Sequence, residues 1–364
     1  MESADAVLFI SFGGPEKQED ILPFLENVTR GRGIPPARLS EVARHYEAIG
    51  GKSPLNEITR RQAAAVRDAL AAAGTPLPVY IGQRHCPPFL DDTLRRMAAD
   101  GIRKAIGFPT AAHRCEASLE RYVNAVEAAR AKVGPAAPVI EYVGPWFDHP
   151  LFIQAIAARI DEALQKIPAE RRARTEWIYT AHSIPCAMAK DSTYVSELRR
   201  TAALVGIILG QPAGNLAYSS RSGNPREAWL EPDVCDAIRA AARRGAQDVL
   251  LVPIGFVADH VEVLFDLDVE AREAAEAAGV TLTRARTVGD HPDFVRLMID
   301  VIRRRQRMDE RSEQRSSLFT IYQDGSKEER PGAASTECYC RPESVEPPCR
   351  RVASIAAGSQ GFQA

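Results

Sequence analysis

The chain has no long hydrophobic run. Its best apolar stretch, Val249–Ala258, contains Pro253 and falls well short of the roughly 18 residues that span a bilayer. It has no excess of charge of one sign. Over 364 residues, 46 basic side chains face 48 acidic ones, a net charge of −2, which disfavours a nucleic-acid binder relying on bulk positive charge. The segment MESADAVLF lacks the basic and apolar regions of a secretory signal. A cytoplasmic protein without a transmembrane segment is therefore expected, and seven cysteines in a reducing compartment do not suggest a disulfide framework. Nucleotide signatures are missing as well. GGKS at Gly50–Ser53 would need a glycine where Tyr46 stands, and no GxGxxG follows the first apolar segment. SRSG and AHSIP do not form a nucleophile elbow, so a serine hydrolase has little support.

What is present is an ordinary globular composition, 45% hydrophobic and 26% charged. At about 150 residues per domain the length suggests two domains. Six short apolar segments read as buried strands: Ala6–Phe12, Val79–Gly82, Ala105–Phe108, Trp177–Thr180, Leu216–Ser219 and Val249–Ile254. Helical stretches alternate with them, among them Ile58–Ala73, Ser118–Val133 and Val195–Leu209. The expected fold class is α/β, with two doubly wound parallel-sheet domains and an active-site cleft between them. The rhythm of three strands with their helices runs twice, without a clear sequence repeat. The expected boundaries are 4–144, then 145–312 with its last helix packing back on the first domain, then 313–364. From Ser316 the chain is rich in Ser, Glu, Pro and Gly and reads as a flexible, cysteine-containing tail.

Open α/β sheets carry their sites beyond the carboxyl ends of the strands. Two such ends stand out. Thr180–Pro185 (TAHSIP) puts His182 where its ring can face a cleft, although a histidine hydrogen-bonded within a turn would look the same. In Val252–Glu262 a strand ends, a tight turn follows and a helix begins near His260, with Glu262 in its first turn. Glu262, Asp266 and Glu270 then recur every four residues, which puts them on one helical face. Such a row is commonly a solvated acidic face, but this one starts at a strand-end cleft. An imidazole facing carboxylates suits a borderline divalent ion such as Fe(II). His182 and Glu262 are also a plausible proton-transfer pair.

Five motifs, SFGGPEKQEDILPFLENVTRGRGIP, HYEAIGGKSPLN, YTAHSIP, SRSGNPREAWLEPDV and PIGFVADHVEVLFDLD, occur in order within about residues 5–305. Together they closely resemble the ferrochelatase family. The resemblance implies an enzyme, a lyase of haem biosynthesis that inserts Fe(II), its substrate, into a porphyrin held between two α/β domains. It implies His182 and Glu262 as the catalytic and metal-contacting residues, facing each other across the porphyrin, with Asp266 and Glu270 as a relay. It implies Ser53 and Tyr122 as holders of the tetrapyrrole carboxylates, with Tyr46, Arg30 and Arg32 in the substrate cleft. Phe12 stands where some members have a tyrosine that can reach the metal, so that oxygen ligand is absent, and Tyr218 replaces a common tryptophan.

Membrane-associated members acting on protoporphyrin carry an apolar lip after the first helix, whereas this chain has the basic, glycine-rich Asn27–Gly33. Coproporphyrin III has four propionates against two in protoporphyrin IX. Arg30, Arg32, Ser53 and Tyr122 offer donors for the additional carboxylates. The expected reaction is Fe(II) insertion into coproporphyrin III to give coprohaem; the alternative is protoporphyrin IX ferrochelatase. A chelatase for another metal or tetrapyrrole, or a non-catalytic haem or iron carrier, comes after these. Transient contacts with other haem-pathway enzymes are also expected. The tail cysteines Cys338, Cys340 and Cys349, with Cys186 as the first choice of internal ligand, suggest a [2Fe–2S] cluster, as in some members of the family. The alternative is a tail with free thiols.

Overall fold

The computed structural model describes residues 4–211, 214–222 and 227–311. The tail from residue 313, with Cys338, Cys340 and Cys349, lies outside the described residues, as does part of the SRSGNP motif.

Eight strands form two parallel sheets. The first comprises β1 (Ala6–Ser11), β2 (Val79–Gln83), β3 (Lys104–Pro109) and β4 (Val139–Tyr142) in the order β2-β1-β3-β4. The second comprises β5 (Glu176–His182), β6 (Asn215–Ser219), β7 (Asp248–Val252) and β8 (Thr281–Arg284) in the order β6-β5-β7-β8. The doubly wound α/β class holds, and the same strand order is built twice. Each sheet has four strands rather than the three expected. The missed strands, β4 and β8, are four-residue edge strands paired on one side only. Each buries a single fully covered residue, Ile140 or Leu282, so neither has the continuous apolar run that marks β1 and β7, buried along their whole length.

Side chains alternate between the two faces of a strand. Ala6, Leu8 and Ile10 face Leu94, Met97 and Val126, while Val7 and Phe9 face the middle of the molecule. There they share one core with Trp177, Tyr179, Leu250 and Val252 of the second sheet. The helices Pro150–Leu164 and Pro292–Arg311 fill the space between the sheets and pack on each other. Trp146 stacks on Phe108 at 5.6 Å and meets Phe152 edge-on at 5.2 Å, with Phe294 at 5.5 Å. The helix Pro292–Arg311 also packs on the helix Leu55–Ala72. Beside that seam Arg61 pairs with Asp290 at 2.7 Å, and Gln62 donates to the Gly289 carbonyl at 2.7 Å. The carboxyl ends of β1 and β5 carry Phe12 and His182 into the region described next.

Candidate active site

His182 is the last residue of β5. Its Nδ1–H donates to the Ser183 carbonyl, and because a carbonyl only accepts, that nitrogen carries a proton and Nε2 is left to face the cleft. The strand end is fixed from behind: Tyr194 Oη donates to the His182 carbonyl at 3.0 Å, and Ser183 Oγ donates to the Leu230 carbonyl at 2.9 Å.

Glu262 arrives from the segment after β7. Gly255 allows this approach. Its N–H donates to the Thr180 carbonyl at 3.1 Å, and a Cβ at this position would lie 2.6 Å from the Ala181 side chain. His260 then caps the helix Val261–Leu264, its Nδ1 accepting from the Glu262 N–H at 3.2 Å. The result places Glu262 Oε1 3.5 Å from His182 Nε2. Both side chains remain about a third exposed, 30% and 37%, so a substrate can reach them.

The two groups shift each other's ionisation. Burial disfavours the imidazolium of His182, but Glu262 and the Ser183 carbonyl outweigh it and raise the pKa. Burial likewise works against the Glu262 carboxylate, and His182 overcomes it, holding the group down at about 2. Each charge therefore favours the other, the carboxylate of Glu262 and the imidazolium of His182. Asp266 behaves oppositely. Burial and the neighbouring Glu262 charge push it up to about 7, although Ser220 Oγ donates to Oδ2. Ser220 does this from a left-handed backbone, φ 64°, which is costly for a residue with a side chain. Glu270 is raised by burial and by Asp233, and its charge in turn raises Asp266.

The helix that carries this row is not one regular helix, as the spacing of four suggested. It runs as Val261–Leu264, a π-helical turn Asp266–Glu270, and then Ala271–Ala277. The N–H groups of Val269 and Glu270 both reach the Phe265 carbonyl at 3.0 Å. Such wide turns are rare and recur at functional sites.

The facing wall comes from the first sheet. Tyr46 and Tyr122 are buried, and the charge of Glu262 acts on both hydroxyls, helping burial to push their ionisation up. Ser53 is buried against Gly14; its N–H donates to the Pro15 carbonyl at 2.8 Å and its Oγ accepts from the Leu55 N–H at 3.3 Å. Arg30 and Arg32 are exposed. Arg30 lines a cavity of about 470 Å³ together with Arg84, His85, Asp91 and Lys132; His182 and Glu262 are not part of its lining.

Arg84 and His85, which directly follow β2, carry no role in the sequence reading. The guanidinium of Arg84 lies 5.5 Å from the Phe12 ring centre and 5.4 Å from that of Tyr122. Among the described residues it has no carboxylate partner, and burial lowers its pKa. His85, tilted against Phe12 at 4.5 Å, is pushed down to about 3 by burial and by Arg84. His45 and Ser220 were also missed. The His45 ring stacks on Phe265 at 3.8 Å, joining the helix Pro36–Ala48 to the acidic segment.

No three His, Cys, Asp or Glu side chains converge as a metal-holding group among the described residues. Cys86 and Cys115 are buried free thiols and Cys235 is a half-buried one, and Cys186 is buried at the start of the short helix Cys186–Lys190.

Residues 4–306 match the family model described as ferrochelatase. The chain belongs to the ferrochelatase family. It is a metal chelatase, a lyase, and its metal substrate is Fe(II). It is 44% identical over 309 residues to the coproporphyrin III ferrochelatase of Nocardia farcinica, covering 83% of this chain and 88% of that one. It is 46% identical over 301 residues to the coproporphyrin III ferrochelatase of Mycobacterium avium, covering 82% and 87%. A ferrochelatase of Rhodopirellula baltica is 44% identical over 302 residues, covering 83% and 86%. Among solved structures, SirB from Bacillus subtilis with Fe3+ superposes with a TM-score of 0.53 at 11% identity, covering 84% of this chain and 97% of that one. This last likeness speaks for the fold alone. No helix among the described residues is long and apolar enough to cross a membrane.

Proposed function

We propose that this ferrochelatase inserts Fe(II) into coproporphyrin III, giving coprohaem, in the cytoplasm. The observation that carries the reading is Arg84, a desolvated cation between Phe12 and Tyr122, with Arg30 and Lys132 lining the same cavity and Asp91 its one acid. A guanidinium without a carboxylate of its own favours a substrate that brings several. Ser53, Tyr46, Tyr122 and Arg32 belong to the same wall in this reading. The names of the Nocardia and Mycobacterium relatives support it. The two sheets act as domains 4–144 and 145–312, with the macrocycle between them.

Metallation removes two N–H protons from the ring as all four ring nitrogens become ligands to the ion. Propionate binding energy serves to hold the ring bent, exposing the nitrogen lone pairs. His182 is the proton acceptor, and it must first become neutral. A dication arriving at Glu262 supplies the reason. It offsets the carboxylate charge that favours the imidazolium, so the neutral ring, with Nε2 free to take a proton from a pyrrole, becomes the favoured form. Asp266 and Glu270 carry protons outward from this pair.

The [2Fe–2S] cluster proposed on Cys338, Cys340, Cys349 and Cys186 needs four thiolates. Three of them, Cys338, Cys340 and Cys349, lie outside the described residues, and no step is routed through a cluster. Anaerobically purified protein free of visible absorption would dismiss the cluster.

Anaerobic turnover of Fe(II) with coproporphyrin III and protoporphyrin IX in parallel, read as loss of porphyrin fluorescence, tests the substrate. Preference for coproporphyrin III is expected. Preference for protoporphyrin IX would overturn the assignment of Arg84, Arg30 and Arg32 as holders of additional carboxylates.

A further inference from the structure

The segment that carries Glu262 and Asp266 is gripped by one guanidinium. Arg284 ends β8, and its side chain is 10% exposed. Nε reaches one carboxylate oxygen of Asp268 at 2.7 Å and Nη2 the other at 2.7 Å. Nη1 reaches Asp259 at 3.3 Å and the Ala285 carbonyl at 3.2 Å. Asp259 lies three residues before Glu262, and Asp268 two residues after Asp266, inside the wide turn. In an ordinary helix four residues overshoot a full turn by about 40°. A row spaced by four then winds steadily round the axis. A wider turn takes up more residues per revolution and reverses that drift, and such turns recur at functional sites.

We propose that Arg284 is a positioning residue for metal insertion: by gripping Asp259 and Asp268 together it holds the wide turn and sets where Asp266 and Glu270 stand relative to Glu262. This rests on the reading of Glu262 as the residue that handles the metal. A bidentate grip on Asp268 with a third contact to Asp259 is within the reach of arginine and not of lysine.

The test uses full-length Arg284→Gln and Arg284→Lys. Steady-state constants for Fe(II) and for porphyrin are measured separately, with porphyrin Kd by fluorescence and amide hydrogen exchange at Val269 and Glu270. Arg284→Gln is expected to lower kcat/KM for Fe(II) about tenfold or more while porphyrin Kd moves by less than about twofold. Exchange at the two amides should quicken, and Arg284→Lys should fall between the parent and Gln. Unchanged Fe(II) constants would overturn the proposal, as would a loss shared equally by porphyrin affinity and thermal stability. If Arg284→Gln does not fold, Asp268→Asn keeps the Asp259 contact and is expected to give the same selective loss for Fe(II); an unaffected Asp268→Asn overturns the proposal. Glu262→Gln is run alongside. Full turnover in that variant would sink the reading of Glu262 itself, whatever the exchange at Val269 and Glu270 reports about the grip.

Discussion

His182 Nε2 and Glu262 Oε1 stand 3.5 Å apart, with opposite shifts of ionisation to which each contributes. Each group overcomes its burial through the charge of the other. Removing the carboxylate charge therefore leaves burial as the main influence on the imidazole. In Glu262→Gln the pKa of His182 is expected to fall, read by the titration of its ring protons in NMR. A His182 pKa unchanged in this variant would show that the pair is not coupled. Turnover should drop by about 100-fold or more in His182→Ala and in Glu262→Gln, with porphyrin binding retained.

Asp266 makes the enzyme's stability depend on pH in the opposite sense to the usual carboxylate. Its folded pKa, about 7, lies above the ordinary 3.8. The folded state therefore holds a proton that the unfolded state has released between these values, and stability falls as pH rises through that window. Above about pH 7 the loss is complete. Asp266→Asn removes it, so the variant should gain on the parent from about pH 4 to about pH 7, by on the order of 2–4 kcal/mol at the plateau, less whatever the Ser220 contact loses. Urea unfolding at several pH values measures this. A constant difference between the two proteins across the range would contradict it.

Arg84 offers a direct test of how the porphyrin carboxylates are held. Arg84→Ala removes a cation that lies against two rings and has no carboxylate of its own among the described residues. The KM for coproporphyrin III is expected to rise by about tenfold, with a smaller rise for protoporphyrin IX, as fits a charge-assisted hydrogen bond of about 1.5–3 kcal/mol partly replaced by other donors. Fe(II) constants should stay near the parent values. An equal rise for both porphyrins would place Arg84 in general packing rather than in carboxylate recognition.

The legible parts of the sequence were those whose physics is local. The central strands showed as apolar runs because both of their faces are covered, as in β1 and β7. β4 and β8 did not, because VIEY and TLTR are four residues long with one buried residue each. His182 and Glu262 were legible as polar residues at strand ends. The wide turn Asp266–Glu270 was not, since a spacing of four residues suits an ordinary helix and the residue that grips it, Arg284, comes from a strand sixteen positions away from Asp268. Arg84 was hidden for a similar reason. Its meaning depends on Phe12 and Tyr122, which the fold alone brings to its two sides.

Gly255 connects that fold to the chemistry. A Cβ there would meet Ala181 at 2.6 Å from its Cβ and 2.7 Å from its Cα, closer than such atoms approach, and the second of these is backbone that cannot swing aside. Gly255→Ala must therefore lift the turn after β7 off β5. The cost of such overpacking is about 1–3 kcal/mol, and it falls on the segment that sets Glu262 against His182. Two effects are expected together: a lower Tm and a kcat reduced beyond what the lost fraction of folded protein accounts for. Gly144→Ala is the matched control, because a Cβ there meets nothing within 4 Å and its backbone is not left-handed. It should leave both quantities near the parent values. A Gly255→Ala enzyme with a lowered Tm but parental kcat would mean that the distance between His182 and Glu262 does not depend on this close approach.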